Sequence, residues 1–265
     1  MIAARKYLWV SLTSARSNVA YLSEVISRTI FMGVALFVFL QLWRVTYAQT
    51  GAQELGGLTL AQMMWYLAMT EAISLSRGNV TGEIDQDVRT GTLAVQLVRP
   101  ISYPLYRFAV AVGERAVRFA LNAAVGIMVV LVFVGPIQFT ASGLLMFAIS
   151  IPLAFTLDFL GFLLIGLGAF WLEDTSGLWL IYSRLTMILG GMLIPLQLFP
   201  DQVQPLLRIL PFSSIVYGPA RLFVAPDAAF LADLLLHQCV TILIYASISV
   251  VVYRVAVKRI NANGG

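Results

Sequence analysis

One cysteine and one histidine, Cys239 and His237, occur in 265 residues. That scarcity excludes an internal disulfide and any metal site built from two such ligands, zinc chemistry above all. Charge is scarce as well, at 11% of residues against about 25% in soluble domains. With 60% hydrophobic residues and a mean hydropathy of +0.87, water is not the main solvent of this chain. No G-x-x-x-x-G-K-[ST] phosphate loop, H-E-x-x-H pair or Gly-rich dinucleotide fingerprint is present, so the chain does not bind and hydrolyse ATP by itself. No catalytic or metal-ligating residue is assigned. A cleavable signal peptide is not expected, because Arg5 and Lys6 precede only the short apolar run 7–10. The formal charge of +4 would suit nucleic acid only if Lys and Arg gathered on one soluble face. They fall between apolar runs instead, which is the pattern of the positive-inside rule, and no nucleic-acid partner is expected.

What is present is a series of long apolar segments, each near the length of about 20 residues that a helix needs to cross a bilayer. The expectation is an all-α polytopic membrane protein of about six transmembrane helices, folded as a single domain over 1–265. Spans are predicted at 25–47, 58–75, from the helix starting near Tyr103 once past Arg118, 141–171, 178–198 and 231–253. Trp43, Arg44 and Tyr47 read as an interfacial anchor at the outer end of the first. Residues 1–24 alternate apolar with basic and polar side chains, as an N-terminal interfacial helix does. Residues 198–230 hold Pro200, Pro205, Pro211, Pro219 and Pro226 between apolar pieces too short to span, which reads as re-entrant outer helices before the last span. Placing both termini in the cytoplasm leaves only Arg44, Arg208 and Arg221 outside, so that orientation is preferred.

The most polar stretch, 76–102, lies between the second and third spans. It reads Gly82-Glu83-Ile84-Asp85-Gln86-Asp87-Val88-Arg89-Thr90-Gly91-Thr92-Leu93, followed by Leu97-Val98-Arg99-Pro100-Ile101-Ser102. This pattern of Glu, Arg-x-Gly and Leu-x-x-Pro-Ile-Ser resembles that of permease subunits of ABC-2 type transporters of the compact six-span class. The layout of spans, surface helix and proline-broken outer segment agrees with it. The resemblance implies a cytoplasmic coupling region that docks on a separate ATPase, with Glu83, Ile84, Asp87, Val88 and Arg89 as the coupling residues. It also implies two copies of that ATPase carrying the ATP and Mg, a second permease subunit, identical or related, and a bacterial plasma (inner) membrane setting with contacts to membrane lipid. The expected function is export of a hydrophobic or amphiphilic substrate, coupled to ATP hydrolysis on the partner. The residues themselves allow a small docking face from Ile84 and Val88, four apart on one helix, with carboxylates in the first turn where the helix dipole favours them. The alternative is a secondary transporter driven by an ion gradient, which usually shows intramembrane carboxylates on several helices and two matching halves. Only Asp158 lies clearly deep, and no repeat is visible.

Phe155, Asp158, Phe159 and Phe162 follow the spacing i, i+3, i+4, i+7 and share one helix face. That face is a candidate stretch of the substrate path, where an acid among rings suits a lipophilic cation. It could equally be a seam between permease halves or packed core. Arg184, about 15 Å into the fifth span at about 1.5 Å per residue, is a candidate partner for Asp158.

Overall fold

The computed structural model describes residues 2–19 and 22–263, with side chains described for 5–18 and 30–258. Twelve α-helices follow one another among the described residues, interrupted by one small antiparallel hairpin and two short 3-10 turns. Helix α1 (Ile2–Val19) lies along the first half of α6 (Tyr103–Phe133), where the Ser11 hydroxyl donates to the Ala109 carbonyl at 2.6 Å and Lys6 Nζ to that of Pro100 at 2.7 Å. Its far side leaves Leu8, Trp9 and Leu12 exposed. The predicted surface segment 1–24 contains 20 and 21, which lie outside the described residues.

Helix α2 (Leu22–Thr50) buries a stripe, Met32, Leu36, Leu40, Trp43 and Tyr47, at spacings of three and four residues. The opposite face exposes Ile30, Phe31, Val34, Val38 and Leu42. A helix apolar on both its buried and its exposed side is made for lipid rather than water. Trp43 and Tyr47 do not form the expected headgroup anchor. Both point into the core, because α3 offers them an apolar surface, and the Tyr47 hydroxyl donates to the Leu58 carbonyl at 2.6 Å.

Strands β1 (Glu54–Leu55) and β2 (Leu58–Thr59) pair in the register Glu54 with Thr59 and lead into α3 (Leu60–Leu75). Thr59 and Gln62 form a reciprocal capping box at its start. From Met63 to Ile73 every residue of α3 is buried, which makes it the axis of the core. Then follow α4 (Val80–Arg89), α5 (Thr92–Leu97), α6 and α7 (Ala141–Leu167). Helix α8 (Ser176–Leu189) precedes the short helices α9 (Gln204–Ile209), α10 (Pro211–Ile215) and α11 (Tyr217–Val224), and α12 (Ala228–Asn263) closes the chain.

Among the described residues four helices are long and apolar enough to cross a membrane: Ile30–Thr50, Tyr103–Phe133, Ala141–Phe170 and Ala228–Lys258. The segments expected as the second and fifth spans form α3, of 16 residues, and α8, of 14. At about 1.5 Å per residue they reach about 24 and 21 Å, short of a hydrocarbon core of about 30 Å. The fifth segment stops at Leu189 rather than continuing to 198, because the chain turns at Gly190 and Gly191 and then meets Pro195.

The stretch 198–230 is no surface loop. Phe212 to Val224 is buried almost without a break, with Ile215, Val216, Ala220 and Leu222 fully inside. Gln238 of α12, itself fully buried, donates to the carbonyls of Ser214 at 2.9 Å and Ser150 at 3.3 Å, and so joins α10, α7 and α12. Along α7, Gly143 lies against α11 and Gly166 against α4, so the two sets of short helices sit at opposite ends of that central helix.

Candidate functional site

The end of the bundle that carries α4 is built around one guanidinium. Asn79 caps α4 by accepting from the Gly82 amide, and the first turn then presents Glu83 and the second Asp87 toward α6. Arg107 takes both, with Nη1 on Glu83 Oε2 at 2.7 Å and Nη2 on Asp87 Oδ2. The Tyr103 hydroxyl also donates to Asp87 Oδ2 at 2.7 Å. Burial pushes the Glu83 carboxyl above its usual value even with Arg107 beside it. Arg89 bridges Asp85 at 2.9 Å and reaches Asp174, in the turn after α7, at 3.5 Å.

Ile84 corrects a sequence expectation. It is fully buried in a cluster with Leu93, Tyr103, Leu163 and Leu167, and Val88 packs against the same cluster. The apolar face of α4 is therefore the face by which it is fixed to α7, and does not stand outward as a docking knob. Helical spacing shows that two residues share a face, but not which body that face meets. At Gly166 an added Cβ would press on Ile84, with Cδ1 at 3.0 Å and Cβ at 3.1 Å, so glycine lets the two helices approach closely. Thr81 completes the seam by donating to the Phe162 carbonyl at 3.0 Å.

What stands outward at this end is the next helix. Gly91, at φ +72°, lets the chain reverse into α5, and beyond it Val95 is 63% and Val98 87% exposed. Gln86 and Arg89 are exposed on the adjoining side of α4. Sequence reading missed this pair because α5 is a six-residue helix between two turns, too short for any periodicity to register.

Phe155, Asp158, Phe159 and Phe162 do converge, on a cavity of about 500 Å³ between α6 and α7. Phe108 and Phe119 of α6 complete an aromatic wall, Phe108 meeting Phe159 edge-on at 5.1 Å and Phe119 meeting Phe155 at 5.4 Å. Asp158 is fully buried on this wall, and its partner is not Arg184. Arg77 Nε lies 2.9 Å and Arg115 Nη1 2.7 Å from the same oxygen, Oδ2. Arg184 is exposed on α8, where among the described residues its guanidinium meets the Met187 sulfur at 3.8 Å. Arg115 is held further by Ser76 Oγ, the Ile73 carbonyl and the face of Phe155, whose centroid lies 3.9 Å from Cζ. The two guanidiniums escaped the sequence reading because each follows or precedes other charges and so reads as ordinary cytoplasmic charge. A deep acid such as Asp158 was the signal that a cation had to be near. Among the described residues no cluster of three or more His, Cys, Asp or Glu is arranged to hold a metal ion.

Residues 31–264 match the sequence profile of the ABC-2 family transporter proteins. The chain belongs to the ABC-2 transporter family. No curated protein matches it. As an ABC-2 family member it is a multi-pass membrane protein and a permease component of an ABC transporter, of a kind that works with an ABC ATPase rather than performing catalysis itself. Within this permease, the α4–α5 unit and the α6–α7 cavity are two places where charged side chains meet an apolar body.

Proposed function

We propose that this permease is the membrane half of an ATP-driven exporter, docking two copies of a separate ATPase through α4 and α5 and moving a hydrophobic or amphiphilic substrate. The observation that carries the reading is the α4–α5 unit. Its inner face is tied to α6 and α7 by ion pairs and by Ile84, while Val95 and Val98 stand exposed beside Gln86 and Arg89. A few apolar side chains ringed by charge suit a modest, partly polar protein contact. ATP and Mg belong to the partner in this reading, and a second permease, identical or related, completes the pathway.

The α4 end faces the cytoplasm of a bacterial inner membrane in this arrangement, with both termini on that side, since Arg89, Arg99, Arg107 and Arg118 gather there. Helices α3 and α8 then serve as shortened spans lodged in protein, the full count being six. Helix α1 rests on the inner leaflet through Leu8, Trp9 and Leu12. Helices α9 to α11 form the re-entrant outer layer, a position membranes permit because their backbone packs on protein.

The test is the double substitution Val95→Asp and Val98→Asp. Both side chains are exposed, so insertion and thermal stability should match the wild type, whereas co-purification of the ATPase and transport-stimulated ATP hydrolysis should fall to background. Retention of both activities would move the contact elsewhere.

A further inference from the structure

Asp158 faces two arginines across the cavity wall, so that group of three does not cancel. Beside it Arg118 holds the Arg77 carbonyl at 3.2 Å and pairs with Glu114 at 3.4 Å. Arg115 spends its guanidinium on Asp158, Ser76 and Ile73. Arg77 does not. Its Nη2 is buried and has no hydrogen-bond partner, although Nε holds Asp158. Asp158 Oδ1, also buried, is equally without a partner. A buried guanidinium N–H with nothing to donate to is costly, and an anionic acceptor is its strongest remedy. A cation, by contrast, would enter beside Asp158, Arg77 and Arg115, a group that carries one positive charge in excess. The remaining wall is apolar and aromatic, from Phe119 and Phe155 to Ile151. The exposed rim, Val112, Ala116 and Pro152, lies between two helices long enough to cross the membrane, so the cavity opens sideways toward lipid.

From this geometry we infer that the α6–α7 cavity is a cargo site for small or single-tailed anionic amphiphiles, the acidic head on Arg77 beside Asp158 and the tail along Phe119 and Phe155. A volume of about 500 Å³ is within the range of small-molecule sites, about 300–1,000 Å³, and too small for a head group with two acyl chains. The inference rests on the export reading for the word cargo, while occupancy of the cavity is independent of any ATPase.

The full-length permease, in discs of phosphatidylcholine and without an ATPase, is exposed to three photo-crosslinking probes of one chain length. One carries a carboxylate, one a quaternary ammonium and one a neutral alcohol, and labelled peptides are mapped by mass spectrometry. The carboxylate probe should label α6 and α7 around Phe119 and Phe155 at least about tenfold over the other two, the factor expected for one charge-assisted hydrogen bond. Arg77→Gln keeps the Arg115–Asp158 pair intact and should remove that preference. Ala116→Trp changes no charge, fills the exposed rim and should block labelling by steric means. Ala116→Trp should elute and melt as the wild type does; Arg77→Gln should elute as a folded monodisperse protein but melt below the wild type, since Asp158 keeps only Arg115. Equal labelling by all three probes, preference for the ammonium probe, or unchanged labelling in both variants would overturn the site. Full displacement of the carboxylate probe by an equal mole fraction of phosphatidylglycerol would assign the cavity to a bilayer lipid and overturn its role as a cargo site. Because no ATPase is present, loss of docking in the Val95 and Val98 variant leaves these results untouched, so the two readings fail separately.

Discussion

Helix α4 is fixed to α6 by charge and to one end of α7 by apolar packing, whereas α10 and α11 are held at the other end of α7 by apolar burial and neutral hydrogen bonds. At the first end Arg107 gathers Glu83, Asp87 and Tyr103, and Arg89 spans Asp85 and Asp174. At the second, Ile215, Val216, Ala220 and Leu222 are fully buried, and Gln238 ties two carbonyls across the helices. Apolar burial is non-directional and indifferent to what an approaching partner carries. Ion pairs near a surface respond to salt, to pH and to charges brought by another protein. The ionic contacts of α4 with α6 and with Asp174 are thus the ones a partner can adjust, whereas the buried contacts at either end of α7 stay put.

The hardest way to break the contrast is to remove the deepest charge. Asp158→Ala would leave two guanidiniums buried against aromatic rings, and a buried pair broken on one side costs about 3–5 kcal/mol. The variant should lose folded yield and melt far below the wild type in detergent. A normal melting curve would mean that water already neutralises this cluster. At the other end Ile215→Ala deletes a fully buried side chain and should cost about 2–4 kcal/mol. The discriminating measurement is its salt dependence. The deficit relative to wild type should be the same at about 0.1 and 1 M salt, conditions between which the Debye length falls from about 10 to 3 Å. A deficit that changed with salt would show that the α10–α11 end also relies on charge.

The smallest effect belongs to Asp174, an exposed residue. The Ser176 amide and hydroxyl, at 2.9 and 2.7 Å, and the nearby Arg89 hold its carboxyl below the usual carboxylate value. Its stabilising contribution is therefore full above the ordinary pKa of about 3.9 and is lost as pH falls through the lower folded value. Melting curves of wild type and Asp174→Asn should differ slightly and constantly from neutral pH down to about 5, then converge in stronger acid. A gap that widened on acidification would reverse the sign and refute the assignment.

The long helices were legible in the sequence because their lengths and hydropathy depend only on neighbouring residues, and α2, α6, α7 and α12 lie where the apolar runs lie. The convergence of Phe155, Asp158, Phe159 and Phe162 was legible for the same reason, being a property of one helix. What was hidden is pairing across distance. Arg77 and Arg115 stand 81 and 43 residues from Asp158, and nothing local marks a guanidinium as turned inward. Ile84 and Val88 were read on the correct shared face with the wrong neighbour, since α7 rather than a partner protein covers them. Trp43 and Tyr47 had the composition of a headgroup belt and instead found a core to fill.

The seam between α4 and α7 sets how far a push has to travel. Thr81 holds the carbonyl of Phe162 and Ile84 rests on Gly166, one and two helical turns along α7 from Asp158, or about 6 and 12 Å at about 1.5 Å per residue. No loop or hinge intervenes, and both contacts are close, one a 3.0 Å hydrogen bond and the other a seat where an added methyl group would press on Ile84 at 3.0 Å. Mechanically, α4 and the floor of the cavity form a single short lever. A tilt of one tilts the other, and the compliance that would let the two ends drift out of step is missing from the design.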